Sequence, residues 1–275
     1  MDTKIASLVL AAGRGSRMKE FDGNKTLLPL VTGNSSREDS HPILLEILSN
    51  LPSGPKAIVV NYKKEDIISA TRDLSLTYCE QPKLNGTGGA LLAAIPFLKK
   101  VDCEHLIITM GDVPLVRKDT YRRLIQKLEN NSMAILGFRP KSKREYGVLE
   151  TDANYVKRII EWKYWKDFPK ERQEALHICN SGIYASKRED LLKYLPVLSS
   201  RPHKVLKKIS GKAIEVEEYF ITDLVEYMNE DGLSVGFIIA EDEKEVMGVD
   251  DINALYNARK IFMKRSGNGN LKYDD

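Results

Sequence analysis

The most constraining feature of this 275-residue chain is an apolar run, Ile5 to Leu10, that ends abruptly in Ala11-Ala12-Gly13-Arg14-Gly15-Ser16-Arg17-Met18. A short apolar run bounded by glycines reads as a strand buried on both faces. The loop behind it reads as an anion site. Gly13 and Gly15 can adopt positive φ and carry no Cβ, so the backbone N–H groups between Ala12 and Ser16 can converge on phosphate oxygens. Arg14, Arg17 and Lys25 add positive charge. A bare Gly-x-Gly turn after a first strand is also common without a ligand, and two familiar phosphate loops are excluded by spacing. A dinucleotide fingerprint needs Gly or Ala where Met18 stands, and a P-loop needs a terminal Gly-Lys-Ser/Thr.

Behind this loop, Thr32 to His41 is polar and turn-rich and precedes a helical run from Pro42 to Leu51. Apolar strands then alternate with helices: Ala57 to Asn61, Lys64 to Leu74, Leu76 to Cys79, Gly86 to Leu98, His105 to Met110 and Arg117 to Asn130. Pairs recurring about every 25–30 residues predict a doubly wound, mostly parallel α/β sheet, Rossmann-like in class. After Ser132 the spacing shortens. Met133 to Phe138, Tyr146 to Glu150, Tyr155 to Ile160 and Ile178 to Tyr184 read as strands of a smaller, strand-rich extension. Leu233 to Ala240 is a late strand, Asp251 to Arg265 a closing helix, and residues 266–275 a flexible tail.

Composition removes several function classes. The balance of 42 basic and 39 acidic residues leaves +3, too little to argue for a nucleic-acid partner. No apolar stretch approaches the ~20 residues of a membrane helix. Cys79, Cys103 and Cys179 are widely spaced with no Cys-x-x-Cys, and read as buried apolar residues in a reducing cytoplasm.

Several stretches carry chemistry. Gln81, with Gly86 and Thr87, stands between a strand end and a helix start, where open α/β sheets bind ligands. A glutamine amide there can read the edge of a base, or simply sit at a glycine-rich helix entry. Gly111-Asp112-Val113-Pro114 puts one carboxylate after a buried strand, suited to a Mg²⁺ ion in a phosphate site or to capping the next helix. Asp250 and Asp251 supply a second acidic position; we read Asp251 as the helix cap and Asp250 as the metal-facing residue. Tyr146-Gly147, Glu161 and Asn180 in the strand-rich half suit recognition of sugar hydroxyls, and are equally ordinary as turn or surface residues. Trp162-Lys163-Tyr164-Trp165 reads as a pocket wall or as core of the lobe.

In this order, the motifs resemble the sugar-nucleotide nucleotidyltransferase family, and within it the uridylyltransferase domain of bacterial N-acetylglucosamine-1-phosphate uridylyltransferase. The matching pieces are the loop from Leu10 to Met18 with Lys25, Gln81 with Gly86-Thr87-Gly88, Gly111 to Leu115, Tyr146-Gly147, Glu161, Asn180 to Tyr184, Tyr219 to Asp223, and Gly248 to Asp251. The resemblance implies one domain over residues 1–265, nucleotide-binding to about 131 and sugar-binding from about 132 to 250. It implies that Leu10, Ala11, Ala12, Gly13, Gln81, Gly86 and Thr87 hold the nucleotide, and that Arg14 and Lys25 act on the triphosphate. Asp112 and Asp250 would hold Mg²⁺, and Gly147, Glu161, Asn180 and Thr222 would line the sugar site.

The reaction implied joins UTP and N-acetylglucosamine 1-phosphate in the cytoplasm, with another sugar or nucleotide, or a non-catalytic regulatory subunit, as alternatives. Departures from the pattern are Asp250, where asparagine is common, and Phe220, where tyrosine is usual. Residues 33–41 and about 201–213 look inserted, the second near the expected sugar lobe.

Overall fold

The computed structural model describes residues 4–15, 21, 23–31, 41–209 and 212–265. Arg17, Met18, most of the first inserted segment and the tail after Arg265 lie outside the described residues. In chain order the strands are β1 (Ile5–Leu10), β2 (Pro29–Val31), β3 (His41–Pro42), β4 (Lys56–Val60), β5 (Leu76–Glu80), β6 (His105–Met110), β7 (Met133–Phe138), β8 (Val148–Asp152), β9 (Tyr155–Ile160), β10 (Cys179–Lys187), β11 (His203–Ile209), β12 (Lys212–Glu218) and β13 (Val235–Ile239). The helices are α1 (Ile43–Asn50), α2 (Lys64–Ala70), α3 (Gly86–Ala93), α4 (Ile95–Lys100), α5 (Lys118–Gln126), α6 (Trp162–Trp165), α7 (Lys170–Ala175), α8 (Arg188–Ser200), α9 (Asp223–Glu230) and α10 (Ile252–Arg265).

One nine-stranded sheet, in the order β5-β4-β1-β6-β10-β7-β13-β9-β8, runs through both halves of the chain. The first four strands are mutually parallel, as the apolar runs predict. β10 then lies antiparallel to both β6 and β7, while β13 is parallel to β7. Successive residues of β1 supply opposite faces: Ala6, Leu8 and Leu10 join one apolar cluster, Val9 and Ala11 the other. That two-sided burial is why the strand shows no polar alternation. All three cysteines are buried and unpaired. Among the described residues no helix is long and apolar enough to cross a membrane.

Three differences from the sequence reading have physical causes. The helix expected over Gly86 to Leu98 is two helices jointed at Ala94, because Pro96 lacks an N–H and its ring crowds the carbonyl four residues back. α8 and α9 fall where no helix was expected, although Leu191, Leu195 and Leu198 follow a helical period. The inserted segment after Arg201 is a two-stranded ribbon, β11 with β12.

Candidate active site

The chain passes from β1 to β4 and β5 on one side, then returns to β6 on the other. Loops leaving β1 and β6 therefore diverge around a crevice at the carboxyl edge of the sheet, where such folds bind ligands. Leu10 lies opposite Met110, and the Gly111 N–H donates to the Leu10 carbonyl at 2.9 Å. A Cβ on Gly111 would stand 2.9 Å from that of Ala11, so the two loops leave the sheet in contact. Ala11 is thereby committed to the core, whereas Ala12 and Gly13 line a cavity.

Lys25 opens a short 3₁₀ turn, Lys25–Leu27, whose cap is Asn24. Buried Asn24 accepts from the Thr26 N–H at 3.1 Å and donates to the Tyr62 carbonyl at 2.9 Å, which fixes where the lysine stem emerges. The Lys25 ammonium donates to Asp112 and, at 3.2 Å, to Asp250 Oδ1. Burial opposes its charge, yet the two carboxylates and their hydrogen bonds outweigh that and hold its pKa above the usual lysine value. The Val249 N–H donates to the Asp112 carbonyl at 2.8 Å, joining the two carboxylate-bearing loops. Asp251 caps α10 through the Ala254 N–H at 2.8 Å, leaving its neighbour Asp250 facing Lys25. These groups line a cavity of about 380 Å³ with Gly15, Met110 and Tyr146. Arg14 is exposed, its guanidinium 6.0 Å from the centre of the Tyr62 ring, and is not among the side chains lining that cavity.

Among the described residues, the ion pairs here bring one ammonium to two carboxylates. A polyphosphate brings further negative charge, which a divalent cation would offset. Among the described residues no three His, Cys, Asp or Glu side chains form a metal cage. Two carboxylates suffice for Mg²⁺, which completes its shell with phosphate oxygens and water. The residues fit that ion.

A second cavity, about 280 Å³, is lined by Leu10, Ala12, Gly13, Gln81, Gly86 and Thr87, the residues assigned to the nucleotide from sequence, Ala11 excepted. Gln81 is buried, and its Nε2 donates to Asn85 Oδ1 at 3.0 Å and to the Gly86 carbonyl at 3.2 Å. Gly86 has φ +93°, and a Cβ there would lie 2.3 Å from the Tyr219 carbonyl oxygen; only glycine allows that approach. Thr87 Oγ1 accepts from the Ile221 N–H at 3.3 Å.

Four residues assigned to a sugar form a connected group. The Asn180 N–H donates to the Gly147 carbonyl at 2.8 Å, and Thr222 Oγ1 donates to Glu161 Oε1 at 2.9 Å. An ideal Cβ on Gly147 would lie 3.5 Å from Glu161 Oε2. The Asn180 amide is held at both ends, donating to Tyr184 Oη at 2.8 Å and accepting from the Gly182 N–H at 3.0 Å. Burial first, and the Asp223 charge next, push the Glu161 pKa up. Glu161 and Thr222 open onto a cavity of about 270 Å³ shared with Tyr164, His203, Phe220 and Asp223. Of the aromatic stretch, Tyr164 walls this cavity, whereas Trp165 is core and donates its indole N–H to the Tyr146 carbonyl at 2.8 Å.

With this geometry in view, residues 7–210 match the MobA-like NTP transferase domain. The chain belongs to that family. The bifunctional protein GlmU of Buchnera aphidicola is 29% identical over 261 residues, covering 94% of this chain and 52% of that protein. GlmU of Cereibacter sphaeroides is 30% identical over 272 residues, covering 97% and 54%. The chain thus spans about half the length of the curated relatives it matches. The solved UDP-N-acetylglucosamine pyrophosphorylase of Trypanosoma brucei superposes with a TM-score of 0.70 at 14% identity, over 95% of this chain and 65% of that one. At that identity the likeness is one of fold, and it fits the mixed sheet described above.

Within this NTP transferase fold, sequence reasoning gave no role to Ser181, His203, Lys207, Asp223 or Glu218, each of which lines one of these cavities. Tyr146 stood beside Gly147 in a quoted motif and was legible. Lys207 and Glu218 were not, because nothing local says which surface a charged ribbon covers.

Proposed function

We propose that this chain transfers a nucleotidyl group from UTP to N-acetylglucosamine 1-phosphate, giving UDP-N-acetylglucosamine and pyrophosphate. The observation that carries this reading is the convergence of Lys25, Asp112 and Asp250 on one cavity at the carboxyl edge of β1 and β6. The sugar phosphate is an anion at neutral pH and needs no general base. One of its oxygens attacks the α-phosphorus, forming a P–O bond, while the bond from that phosphorus to the bridging oxygen breaks and pyrophosphate leaves with the electron pair. Catalysis is then positioning and charge neutralisation.

Lys25, kept protonated by its two carboxylates, offsets charge on the α-phosphate and the departing pyrophosphate; Arg14, exposed beside Tyr62, would join it only by turning toward that cavity. Asp112 and Asp250 would hold Mg²⁺, which neutralises phosphate charge as a Lewis acid. Leu10, Ala12, Gly13, Gln81, Gly86 and Thr87 enclose the nucleoside. Gly147, Glu161, Asn180 and Thr222 orient the sugar, Glu161 by accepting from its hydroxyls. The names of the GlmU relatives and of the Trypanosoma brucei enzyme support this choice of substrates.

The test is pyrophosphate release with Mg²⁺, crossing UTP, dTTP, CTP, ATP and GTP against a panel of sugar 1-phosphates. Release with UTP and N-acetylglucosamine 1-phosphate alone supports the full reading. Release with another pair keeps the reaction and overturns the substrates. Nucleotide binding without release from any pair overturns the reaction in favour of a nucleotide-sugar-binding regulatory subunit.

A further inference from the structure

After β13 the chain makes a single 3₁₀ turn, Glu243–Val246, and runs on through Asp250 into α10. Asp242 starts that turn by accepting from the Lys244 N–H at 3.0 Å. Glu245, inside the turn, is a carboxylate only 1% exposed. Its Oε1 accepts from the Arg117 N–H at 3.0 Å and from the Thr120 hydroxyl, 128 and 125 residues away along the chain. Arg117 is the residue that opens α5, and its own side chain makes no capping bond. In a capping box the glutamate at the third helical position accepts from that same N–H. Thr120 stands at the third position here and instead donates to Glu245, so a distant segment completes the helix start.

These bonds close a ring. One span runs from Asp112 to Arg117 and the other from Glu245 to Asp250, in opposite senses. At the cavity end the Val249 N–H donates to the Asp112 carbonyl at 2.8 Å, and an ideal Cβ on Gly248 would lie 3.9 Å from the Asp112 carboxyl carbon. At the far end Glu245 holds Arg117. Val113, Leu115, Val116, Val246 and Val249 all belong to one buried apolar cluster. Apolar contact is non-directional and lets one span slide along the other, whereas hydrogen bonds at the two ends fix the register. The exposed Glu241–Arg123 pair at 3.0 Å also reaches α5, but in water such a pair holds little. Asp112 begins the first span and Asp250 ends the second, so the register of the ring sets the distance between the two carboxylates.

We infer that Glu245 is a positioning residue: through Arg117 and Thr120 it holds the span carrying Asp250 in register with the span carrying Asp112, and so sets the spacing of the two carboxylates for a divalent cation. This rests on the reading of Asp112 and Asp250 as the metal-facing pair. The test is Mn²⁺ binding by the full chain with one equivalent of UTP and no sugar phosphate, read from the EPR signal of the free ion, beside circular-dichroism melts. Glu245→Gln keeps the length of the side chain and an oxygen that accepts both bonds, but loses the charge. Glu245→Asp keeps the charge, but is one methylene short of Arg117 and Thr120. Glu245→Asp raises Kd for Mn²⁺ about tenfold, and Glu245→Gln leaves it within about twofold of wild type. Thr120→Val, which removes one of the two donors and keeps the packing volume, raises it about threefold. Tyr121→Phe, which removes the buried Tyr121–Thr109 hydrogen bond at 3.1 Å from the same helix, lowers Tm and leaves Mn²⁺ affinity at its wild-type value.

Wild-type Mn²⁺ affinity in both Glu245→Asp and Thr120→Val, whatever their Tm, overturns the inference. So does a loss larger in Glu245→Gln than in Glu245→Asp, which marks a charge acting at a distance, or an equal loss in Tyr121→Phe, which marks a general loosening of α5. In each of these cases Mn²⁺ binding by the wild type leaves the metal reading standing. A wild type that binds no Mn²⁺ beyond what UTP alone takes up brings down that reading and the inference together.

Discussion

The cavity at Lys25 and the cavity at Glu161, which we propose as the phosphate and sugar ends of the site, are built on different electrostatic plans. At the first, Lys25 meets Asp112 and Asp250 across 87 and 225 residues of chain. At the second, Thr222 bonds Glu161, and Asn180 bonds Tyr184 and the Gly182 N–H; burial, with the Asp223 charge beside it, pushes the Glu161 carboxyl toward its neutral form. Paired charges at one cavity suit an ionic ligand, and a hydrogen-bonded wall of amide, hydroxyl and carboxyl groups at the other suits hydroxyls.

The comparison predicts where function breaks first. Lys25→Ala is expected to have the largest effect, lowering kcat by ~10²–10³ because it removes fixed charge aimed at the transition state. Single-turnover rates together with circular-dichroism melts check it, and near wild-type turnover would remove Lys25 from the mechanism. Asp112→Asn comes next, with about a 10²-fold loss and a higher Mg²⁺ concentration needed for half-maximal rate. A Mg²⁺ titration identical to wild type would detach that residue from the metal.

At the sugar end the expected effects are smaller and change sign with the readout. Glu161→Gln should raise KM for the sugar phosphate about tenfold, through loss of a charged acceptor. Stability moves the other way. A carboxyl whose folded pKa is raised contributes stability below its ordinary value, and loses it as pH rises through the raised value. At neutral pH the wild type therefore carries the cost of a buried charge, which glutamine lacks. We expect Tm to rise by about 1–3 °C at pH 8, with the gain vanishing near pH 4. An equal or lower Tm at pH 8 would mean that Glu161 is better solvated than its burial indicates. Thr222→Val, the mildest change, should cost about 1 kcal/mol, the worth of its single hydrogen bond to Glu161, with KM for the sugar phosphate rising severalfold and no change in the Mg²⁺ titration.

Much of the framework was legible before any coordinates. The apolar runs at Ile5, Ala57 and His105 became the parallel strands β1, β4 and β6, since burial on both faces leaves a pattern each strand carries by itself; the shorter run at Leu76 became the edge strand β5, with Thr77 and Glu80 exposed. Asp251 as the cap of the last helix could be read from adjacent residues. The glycines at 86 and 88 were seen as a helix entry, but not the reason for them, which is the backbone of Tyr219 packed against them from more than a hundred residues away.

What the sequence by itself determined is thus the periodic skeleton and the order of its polar motifs, because helix caps, glycine turns and apolar periods are set by neighbours along the chain. Only the tertiary structure decided that Lys25 pairs with two carboxylates, that Gln81 directs both amide hydrogens into the protein, and that the ribbon after Arg201 brings Lys207 and Glu218 to the cavity of Gln81 and Gly86. Those contacts depend on strand order and on which face of an element meets which, and no local pattern encodes either.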